Sequence, residues 1–230
     1  SNTPAQVASV ENCTQEVVIS NSCKELSVFR AGNTATDSTA QNATARNLEE
    51  FISTTLANGG YYIARFEASG TASKITSKYN QTVLGNITQP NAAKAAREMY
   101  GEIKENNELV YASDLVNSYA WDTAIIFIQT YSGKTDYASH NESKTTKAFT
   151  ATGKNNDKYC NIWDMSGNAY ECTTEYSTYS DPRRFCPCVI RGGYYNTNYG
   201  EARTYTSYRY YHRTTYSLSD LGLRPLLYVK

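Results

Sequence analysis

The chain has 230 residues with 22 basic and 22 acidic side chains, so its formal net charge at neutral pH is zero. A chain of this length can bury a sizeable core as one domain, with room for a small N-terminal appendage. Zero net charge without a basic block argues against partners such as nucleic acid or an anionic membrane surface, and no apolar run approaches the roughly 20 residues that span a bilayer.

Residues 1–45 are rich in Ser, Thr, Asn and Ala, which predicts a weakly ordered N-terminal arm or linker before a main domain at residues 46–230. Cys13 and Cys23 are close enough in sequence to staple a hairpin within this arm. The chain starts at Ser1 without an initiator Met or a signal-peptide pattern, which favours an excised or processed product.

Hydrophobic periodicity predicts three helices in the main domain. The first spans about Arg46–Ala57, Pro90 opens the second, and the third runs from about Ala120 to Tyr131. The apolar and aromatic stretch Tyr61–Glu67 predicts a strand that enters the core, and residues 133–158 predict a polar surface loop.

The most distinctive composition lies at about residues 194–220. Eight of the 21 tyrosines fall between Tyr194 and Tyr216, among Asn, Ser, Thr and Arg, and this interval contains no Leu, Ile, Val or Met. Such a set suits a contact surface better than a core, because tyrosine offers a rigid apolar ring and a hydroxyl at small entropic cost. The alternative is a polar, loop-rich segment whose tyrosines half-bury against a scaffold. The apolar flanks Val189-Ile190 and Leu221–Val229 predict strands on either side.

The candidate ligand-contact residues are polar or aromatic side chains of this segment. They are Tyr195, Asn196, Asn198, Tyr199, Tyr205, Ser207, Tyr208, Tyr210, Tyr211, His212, Thr214 and Tyr216. Side chains alternate between the two faces of a strand, so several of these residues are expected to point inward. His212 has no carboxylate at a fixed spacing, which favours a contact or packing role over proton transfer.

Six cysteines allow three disulfides. Cys186 and Cys188 are too close in sequence to bond readily to each other, so we expect each to pair with Cys160 or Cys172. This pattern favours an oxidising, extracellular destination, and the alternative is a set of buried reduced thiols in a particle assembled in the cytosol. A zinc site is disfavoured, because neither histidine lies at ligand spacing from a cysteine pair.

Five blocks of the chain carry a family resemblance. They are Tyr61–Glu67, Ala120-Trp-Asp122, Asn161–Cys172, Val189–Tyr194 and Leu221-Gly-Leu-Arg-Pro225. In this order, from about residue 47 to the C-terminus, they resemble the formylglycine-generating enzyme (sulfatase-modifying factor) family. The resemblance implies an α+β, C-type lectin-like fold with small antiparallel sheets, two or three helices and much irregular loop.

In the enzymes of that family, two cysteines shortly after the Gly-Gly motif bind copper and carry out the oxidation. Here the interval from Gly193 to Leu218 contains no cysteine, and the positions that roughly align lie near Thr197 and Ala202. Neither side chain forms a thiolate. The chain is therefore expected to be non-catalytic, with a divergent oxidase of this type as an alternative.

The same resemblance implies a possible structural calcium site. Its ligands would be the carboxylates of Asp164 and Glu171 and the backbone carbonyls of Gly167 and Ala169. All four are oxygen ligands, which a hard cation requires. The alternative is a metal-free loop in which Asp164 and Glu171 cap turns, and no other cofactor is expected.

The chain also resembles a branch of this fold family, the variable proteins of diversity-generating retroelements. In these proteins, adenine mutagenesis of Asn codons yields Tyr, Ser, Thr, Asp, His and Asn, which are the residues common at 194–220. The resemblance implies a receptor-binding or surface-display protein that is extracellular, on a bacterial surface or in a phage virion. Its partner would be a protein or glycan ligand on another cell or particle, and the remaining alternative is a passive structural component of such a surface.

Overall fold

The computed structural model describes residues 43–45, 48–142, 148–176, 180–181, 184–185, 188–196 and 205–229. It shows an α+β arrangement in which the three expected helices are present. They are α1 (Leu48–Ala57), α2 (Gln89–Tyr100) and α3 (Ser118–Tyr131), with a 3-10 helix at Tyr137–Ser139. Within the described ranges, no helix has the length and apolar character that crossing a bilayer requires.

The strands of the described residues are short, from two to eight residues. They are β1 (Tyr62–Ile63), β2 (Ser69–Thr71), β3 (Lys74–Thr76), β4 (Glu102–Glu105), β5 (Glu108–Leu115), β6 (Lys158–Tyr159), β7 (Ile162–Trp163), β8 (Tyr170–Tyr176), β9 (Ser180–Asp181), β10 (Arg184–Phe185), β11 (Cys188–Arg191), β12 (Arg209–His212), β13 (Leu221–Leu223) and β14 (Pro225–Val229).

Two four-stranded sheets organise these strands. The first has the order β1-β14-β5-β4 with antiparallel neighbours, and the second has the order β12-β11-β8-β13, in which only β13 and β8 are parallel. Three small hairpins, β2-β3, β6-β7 and β9-β10, complete the pairing. The consecutive strands β13 and β14 belong to different sheets, so the single residue between them, Arg224, lies where the two sheets meet.

Helices α2 and α3 each help to bury one apolar cluster. The inner face of α3 packs Trp121 and Ile128 with Leu226 and Tyr228 of β14. The alanine face of α2 packs against apolar residues of β5, β8, β11 and β13. The two clusters form the core, and the rings of Tyr195 and Tyr210 pack against the α2 cluster.

Capping explains where two of the helices begin and end. The side-chain oxygen of Asn117 accepts a hydrogen bond from the Ala120 backbone N–H at 2.8 Å, so α3 begins at Ser118, two residues before the predicted start. Pro90 lies in the first turn of α2, and Gly101, with φ of 75°, ends that helix.

The predicted strand Tyr61–Glu67 is wrong in extent, because only Tyr62–Ile63 forms β1. The Ala64 N–H still donates to the Pro225 carbonyl at 3.0 Å. At Phe66 the backbone N–H and carbonyl instead exchange hydrogen bonds with the Ser77 hydroxyl. A side-chain partner thus replaces the neighbouring strand and ends the ladder.

Little of the predicted N-terminal arm lies within the described residues. The Thr44 backbone N–H donates to the Asp114 carboxylate at 2.7 Å, and Ala45 is buried in the α3 cluster. These contacts attach the end of the arm to the main domain. No observation tests the predicted domain boundary between residues 45 and 46, which stays a prediction. Cys13 and Cys23 lie outside the described residues, so the predicted disulfide between them also stays a prediction.

Arg224 joins several of the sequence blocks through buried contacts. Its Nε and Nη2 donate to the Glu171 carboxylate at 2.6 to 3.1 Å. Its remaining bonds go to the backbone carbonyls of Ala64, at 2.8 Å, and Trp163, at 2.9 Å. Both Arg224 and Glu171 are completely buried, so each charge depends on the other for compensation.

The variant Arg224→Met is expected to lower the free energy of unfolding by roughly 3–5 kcal/mol, because it leaves Glu171 as an unpaired buried carboxylate. The double variant Arg224→Met/Glu171→Gln removes both charges and should recover part of that loss. Urea denaturation followed by circular dichroism at pH 7 measures both values. A double variant whose loss of unfolding free energy equals the sum of the losses in Arg224→Met alone and Glu171→Gln alone would contradict this account.

Candidate functional site

Strand β12 carries the central part of the tyrosine-rich segment. It pairs antiparallel with β11, with Val189 opposite Tyr211 and Ile190 opposite Tyr210. All four residues of β11 are buried, so β12 lies on a strand that belongs to the core. The segment is thus part of a sheet at this point and is not an isolated loop.

The structure places the candidate contact residues in three groups. Tyr195, Asn196, Tyr205, Tyr210, Tyr211, His212 and Thr214 are half-buried, Tyr216 is 39% exposed, and Ser207 and Tyr208 are buried. Asn198 and Tyr199 lie outside the described residues. The half-buried and exposed groups are available to a ligand at least in part.

Two of the proposed contact residues face inward. Tyr208 is only 6% exposed and belongs to the α2 cluster, and Ser207 is 3% exposed. The Ser207 backbone N–H donates to the Ala138 carbonyl at 3.1 Å, which turns this stretch toward the 3-10 helix. Ser207 and Tyr208 are therefore corrected from surface contacts to packing positions.

A continuous set of ring contacts runs from the interior to the surface, and we call it the aromatic array. Its members are Phe149, Tyr170, Tyr194, Tyr195, Tyr208, Tyr210 and Tyr211. Ring centroids are 4.5 Å apart for Tyr170 and Tyr194 and 4.1 Å apart for Tyr210 and Tyr211. Because the outer rings rest on buried rings, they are oriented before any ligand arrives.

Sequence reasoning missed Phe149, Tyr170 and Tyr194 as members of this array. Tyr170 lies on β8, next to the strand that supports β12, and Phe149 reaches Tyr195 edge-on at 5.5 Å between ring centroids. No local pattern links residue 149 to residue 195. Tyr194 directly follows the Gly-Gly pair, and this position was the only sequence signal for its role.

Hydrogen bonds fix the backbone where the segment enters β12. The Thr206 N–H donates to the His140 carbonyl at 3.0 Å, and the Trp121 indole N–H donates to the Thr206 carbonyl at 2.9 Å. Gly192 N–H donates to the Tyr208 carbonyl at 3.0 Å. The backbone is therefore held by α3, the 3-10 helix and β11, while the side chains of β12 remain partly exposed.

Two arginines among the tyrosines are buried beneath this surface. Arg191 forms an ion pair with Asp122 of α3, and Arg209 forms one with Glu175 of β8. Burial lowers the pKa of Arg191 to about 9. Neither guanidinium is exposed, so neither is positioned to stack on a base or to meet an external anion.

His212 lies at the end of β12 beside Tyr216. Its ring meets the Tyr216 ring edge-on, with centroids 5.4 Å apart, and its Nδ1 is 3.2 Å from the Arg213 carbonyl oxygen. Burial lowers the pKa of His212, so the ring is neutral at neutral pH. This arrangement favours the contact or packing role over proton transfer.

The geometry around Glu171 does not favour the implied calcium ion. Both Glu171 oxygens already accept hydrogen bonds from Arg224. One Asp164 oxygen accepts a 2.6 Å hydrogen bond from the Gly153 N–H. In the described ranges, no three His, Cys, Asp or Glu side chains are grouped in a way that could hold a metal. The calcium site formed by Asp164, Gly167, Ala169 and Glu171 stays a prediction.

These carboxylates belong to a buried acidic cluster of Glu67, Asp157, Asp164 and Glu171 around Arg224. Glu67 accepts hydrogen bonds from the Asn168 side chain and the Ala169 N–H. Burial, followed by the charges of Asp164 and Glu171, raises the pKa of Glu67 well above its ordinary value. Burial also raises the pKa of Asp157 to about 7. The cluster therefore retains protons at pH values where exposed carboxyls have lost theirs.

The expected pairing of Cys160 and Cys172 with the later cysteines is wrong. Cys160 and Cys172 are free thiols. The Cys188 thiol donates to the His212 carbonyl at 2.9 Å, and burial raises the pKa of Cys172 to about 12. Both groups are protonated packing residues, which corresponds to the alternative of buried reduced thiols. Cys186 lies outside the described residues.

Replacing Tyr208 with alanine is expected to reduce the free energy of unfolding by roughly 3–5 kcal/mol, since it empties a buried aromatic site. Replacing Tyr216, at the exposed end of the segment, should change it by less than about 0.5 kcal/mol. Thermal and urea unfolding of the two variants compare these positions directly. Similar losses for both substitutions would show that the exposed and buried assignments are incorrect.

Asp157 is expected to make the protein less stable as pH rises from about 4 to 7. The folded state keeps the Asp157 proton up to a pKa of about 7, whereas the unfolded carboxyl loses it near 3.8, so this group alone lowers stability by up to about 1.4 kcal/mol per pH unit across that window. The variant Asp157→Asn should flatten this slope, which unfolding at several pH values measures.

The control for that experiment is Asp136→Asn. Asp136 is exposed and pairs with Lys134, which lowers its pKa, so its titration lies below the window that Asp157 affects. Its removal should leave the slope between pH 4 and 7 unchanged. An equal slope in the Asp157→Asn variant and the unsubstituted protein would contradict the assignment.

Comparison with solved structures finds likenesses, two of which are described here. The crystal structure of CarF matches with 16% identity and a TM-score of 0.46, covering 79% of this chain and 83% of CarF. Variable protein 1 of Treponema denticola matches with 13% identity and a TM-score of 0.44, covering 66% of this chain and 72% of that protein. No family model and no curated protein sequence matches the chain. Both TM-scores are below 0.5, so neither likeness carries an argument about fold or function.

Proposed function

We propose that this chain is a non-catalytic binding protein that engages a protein or glycan ligand through the tyrosine-rich face. The face consists of the partly exposed residues Tyr195, Asn196, Tyr205, Tyr210, Tyr211, His212, Thr214 and Tyr216. The ligand would belong to another cell or particle, and the protein would act outside the cell, on a bacterial surface or in a phage virion.

The observation that carries the proposal is the stacking of Tyr210 and Tyr211 on a fixed strand. Their rings are partly exposed and 4.1 Å apart, and β12 is paired with the buried strand β11. Preoriented tyrosines lose little entropy on binding and offer both apolar area and hydroxyl groups. A merely solvated polar surface has no need for a row of supported rings.

The scaffold that we propose is the C-type lectin-like fold, and contacts among the sequence blocks support it. The block at Ala120–Asp122 meets the block at Val189–Tyr194 through the Arg191–Asp122 ion pair. The C-terminal block meets Asn161–Cys172 through Arg224 and Glu171, and Arg224 also binds the carbonyl of Ala64 in the first block. Buried contacts therefore connect the first, third and fifth blocks with one another, and the second block with the fourth.

The thiol chemistry favours binding over the alternative of a divergent oxidase. Such an oxidase needs reactive thiolates, but the Cys172 thiol has a pKa raised to about 12 by burial, and the Cys188 thiol is buried and donates to a carbonyl. We expect no copper-dependent oxidation of a cysteine-containing peptide. The passive surface component is the second alternative, and selection of the varied face for binding distinguishes it.

The proposal predicts that the exposed positions can be varied without unfolding the protein. A display library would randomise Tyr195, Tyr210, Tyr211, His212 and Tyr216. A matched library would randomise five buried positions of the same region, which are Tyr194, Thr206, Ser207, Tyr208 and Arg209. Protease resistance of the displayed proteins measures the folded fraction, and it should be high in the first library and low in the second.

Selection of the first library on several unrelated immobilised proteins and glycans tests binding. A face built for recognition should yield binders whose affinity is lost when the selected residues at positions 210 and 211 are both changed to alanine, with little change in melting temperature. Equal unfolding in the two libraries would contradict the rigid display frame. A folded library without binders to any target would favour the passive surface component.

A further inference from the structure

A second exposed surface combines aromatic rings with cations, and we call it the basic aromatic patch. Its members are Arg65, Tyr79, Lys154, Lys158 and Trp163. The Arg65 Cζ lies 5.1 Å from the centre of the Trp163 ring, and the Lys158 Nζ lies 4.8 Å from it. The Lys154 Nζ lies 4.8 Å from the centre of the Tyr79 ring. Each cation therefore lies within cation–π range of a ring in the patch.

The two rings are held by the core beneath them. The buried Phe66 ring lies 4.9 Å from Trp163 and 6.0 Å from Tyr79, measured between ring centroids. Gly153 has φ of 72°, and a Cβ there would lie 2.6 Å from Phe66 and 2.8 Å from Tyr79. Only glycine fits this conformation and this space. Tyr79 is nevertheless 52% exposed, so its ring remains accessible.

The three cations of the patch have no compensating carboxylates. Elsewhere on the surface, Lys94 pairs with Glu98, Lys104 with Glu102 and Lys134 with Asp136. Within the described part of the chain, Arg65, Lys154 and Lys158 form no ion pair, although all three are exposed. On a chain with zero net charge, this patch is a local concentration of positive charge.

We propose that the basic aromatic patch binds a short anionic glycan. An exposed ring offers an apolar face to the C–H groups of a sugar, and the ammonium and guanidinium groups can pair with its sulfate or carboxylate. A nucleic acid fits less well, because a phosphate backbone is bound by a track of about 6–10 cationic contacts and the patch provides fewer. The patch shares no residue with the tyrosine-rich face, so it is a second binding site.

Tryptophan fluorescence reports on this site directly. Of the two tryptophans, Trp121 is fully buried and Trp163 belongs to the patch. Titration with a size-defined dextran sulfate oligosaccharide at low salt should change the emission, whereas uncharged dextran of the same length should not. A hyaluronan oligosaccharide distinguishes carboxylate from sulfate recognition, and either charged probe supports the proposal if it binds at the patch.

Two matched double variants identify the site of binding. Lys154→Gln/Lys158→Gln should weaken dextran sulfate binding at least about tenfold if each lysine contributes a fewfold. Lys94→Gln/Lys104→Gln removes the same charge at carboxylate-paired positions outside the patch and should change binding less than about twofold. Equal losses in both variants, or no change in emission, would overturn the proposal. Tighter binding of oligothymidylate than of dextran sulfate at the patch would overturn the glycan assignment.

Discussion

The buried ion pair between Arg224 and Glu171 is the constraint on which the fold depends. Arg224 is the only residue between β13 and β14, which belong to different sheets, and its partner lies on β8 of the second sheet. A buried charge without its partner costs several kcal/mol. The pair therefore fixes the position of the C-terminal strands relative to β8, and through the Ala64 and Trp163 carbonyls it also holds two preceding segments.

The same physical device recurs beneath the tyrosine-rich face. Arg191 and Arg209 lie opposite each other on β11 and β12, and each pairs with a carboxylate from another element. Breaking such a pair is expensive, whereas changing an exposed side chain such as Tyr216 costs little. The stability of this region thus comes from residues that a ligand does not meet. This separation allows a surface to vary while its backbone stays in place.

The sequence predicted the elements whose signal is local and failed where the signal is tertiary. The helices were recognisable from periodicity and from Pro90, and α3 differs only by the Asn117 cap. Arg209 lies among the tyrosines in sequence, and nothing nearby in sequence shows that Glu175, 34 positions away, pairs with it in the interior. Tyr208 was misjudged as a surface contact and Cys172 as a disulfide partner for the same reason, since burial depends on which strands become neighbours.

Zero net charge was read from the sequence as a lack of electrostatic preference, and the structure shows why an average misleads. Arg191, Arg209 and Arg224 are buried with carboxylate partners and present no charge to solvent. The acidic cluster is likewise internal, and its raised pKa values remove part of its negative charge. Formal charges counted at the surface and in the core are therefore not equivalent. Since several counted carboxylates are buried and partly protonated, exposed cations such as Lys154 and Lys158 create a local field that the total conceals.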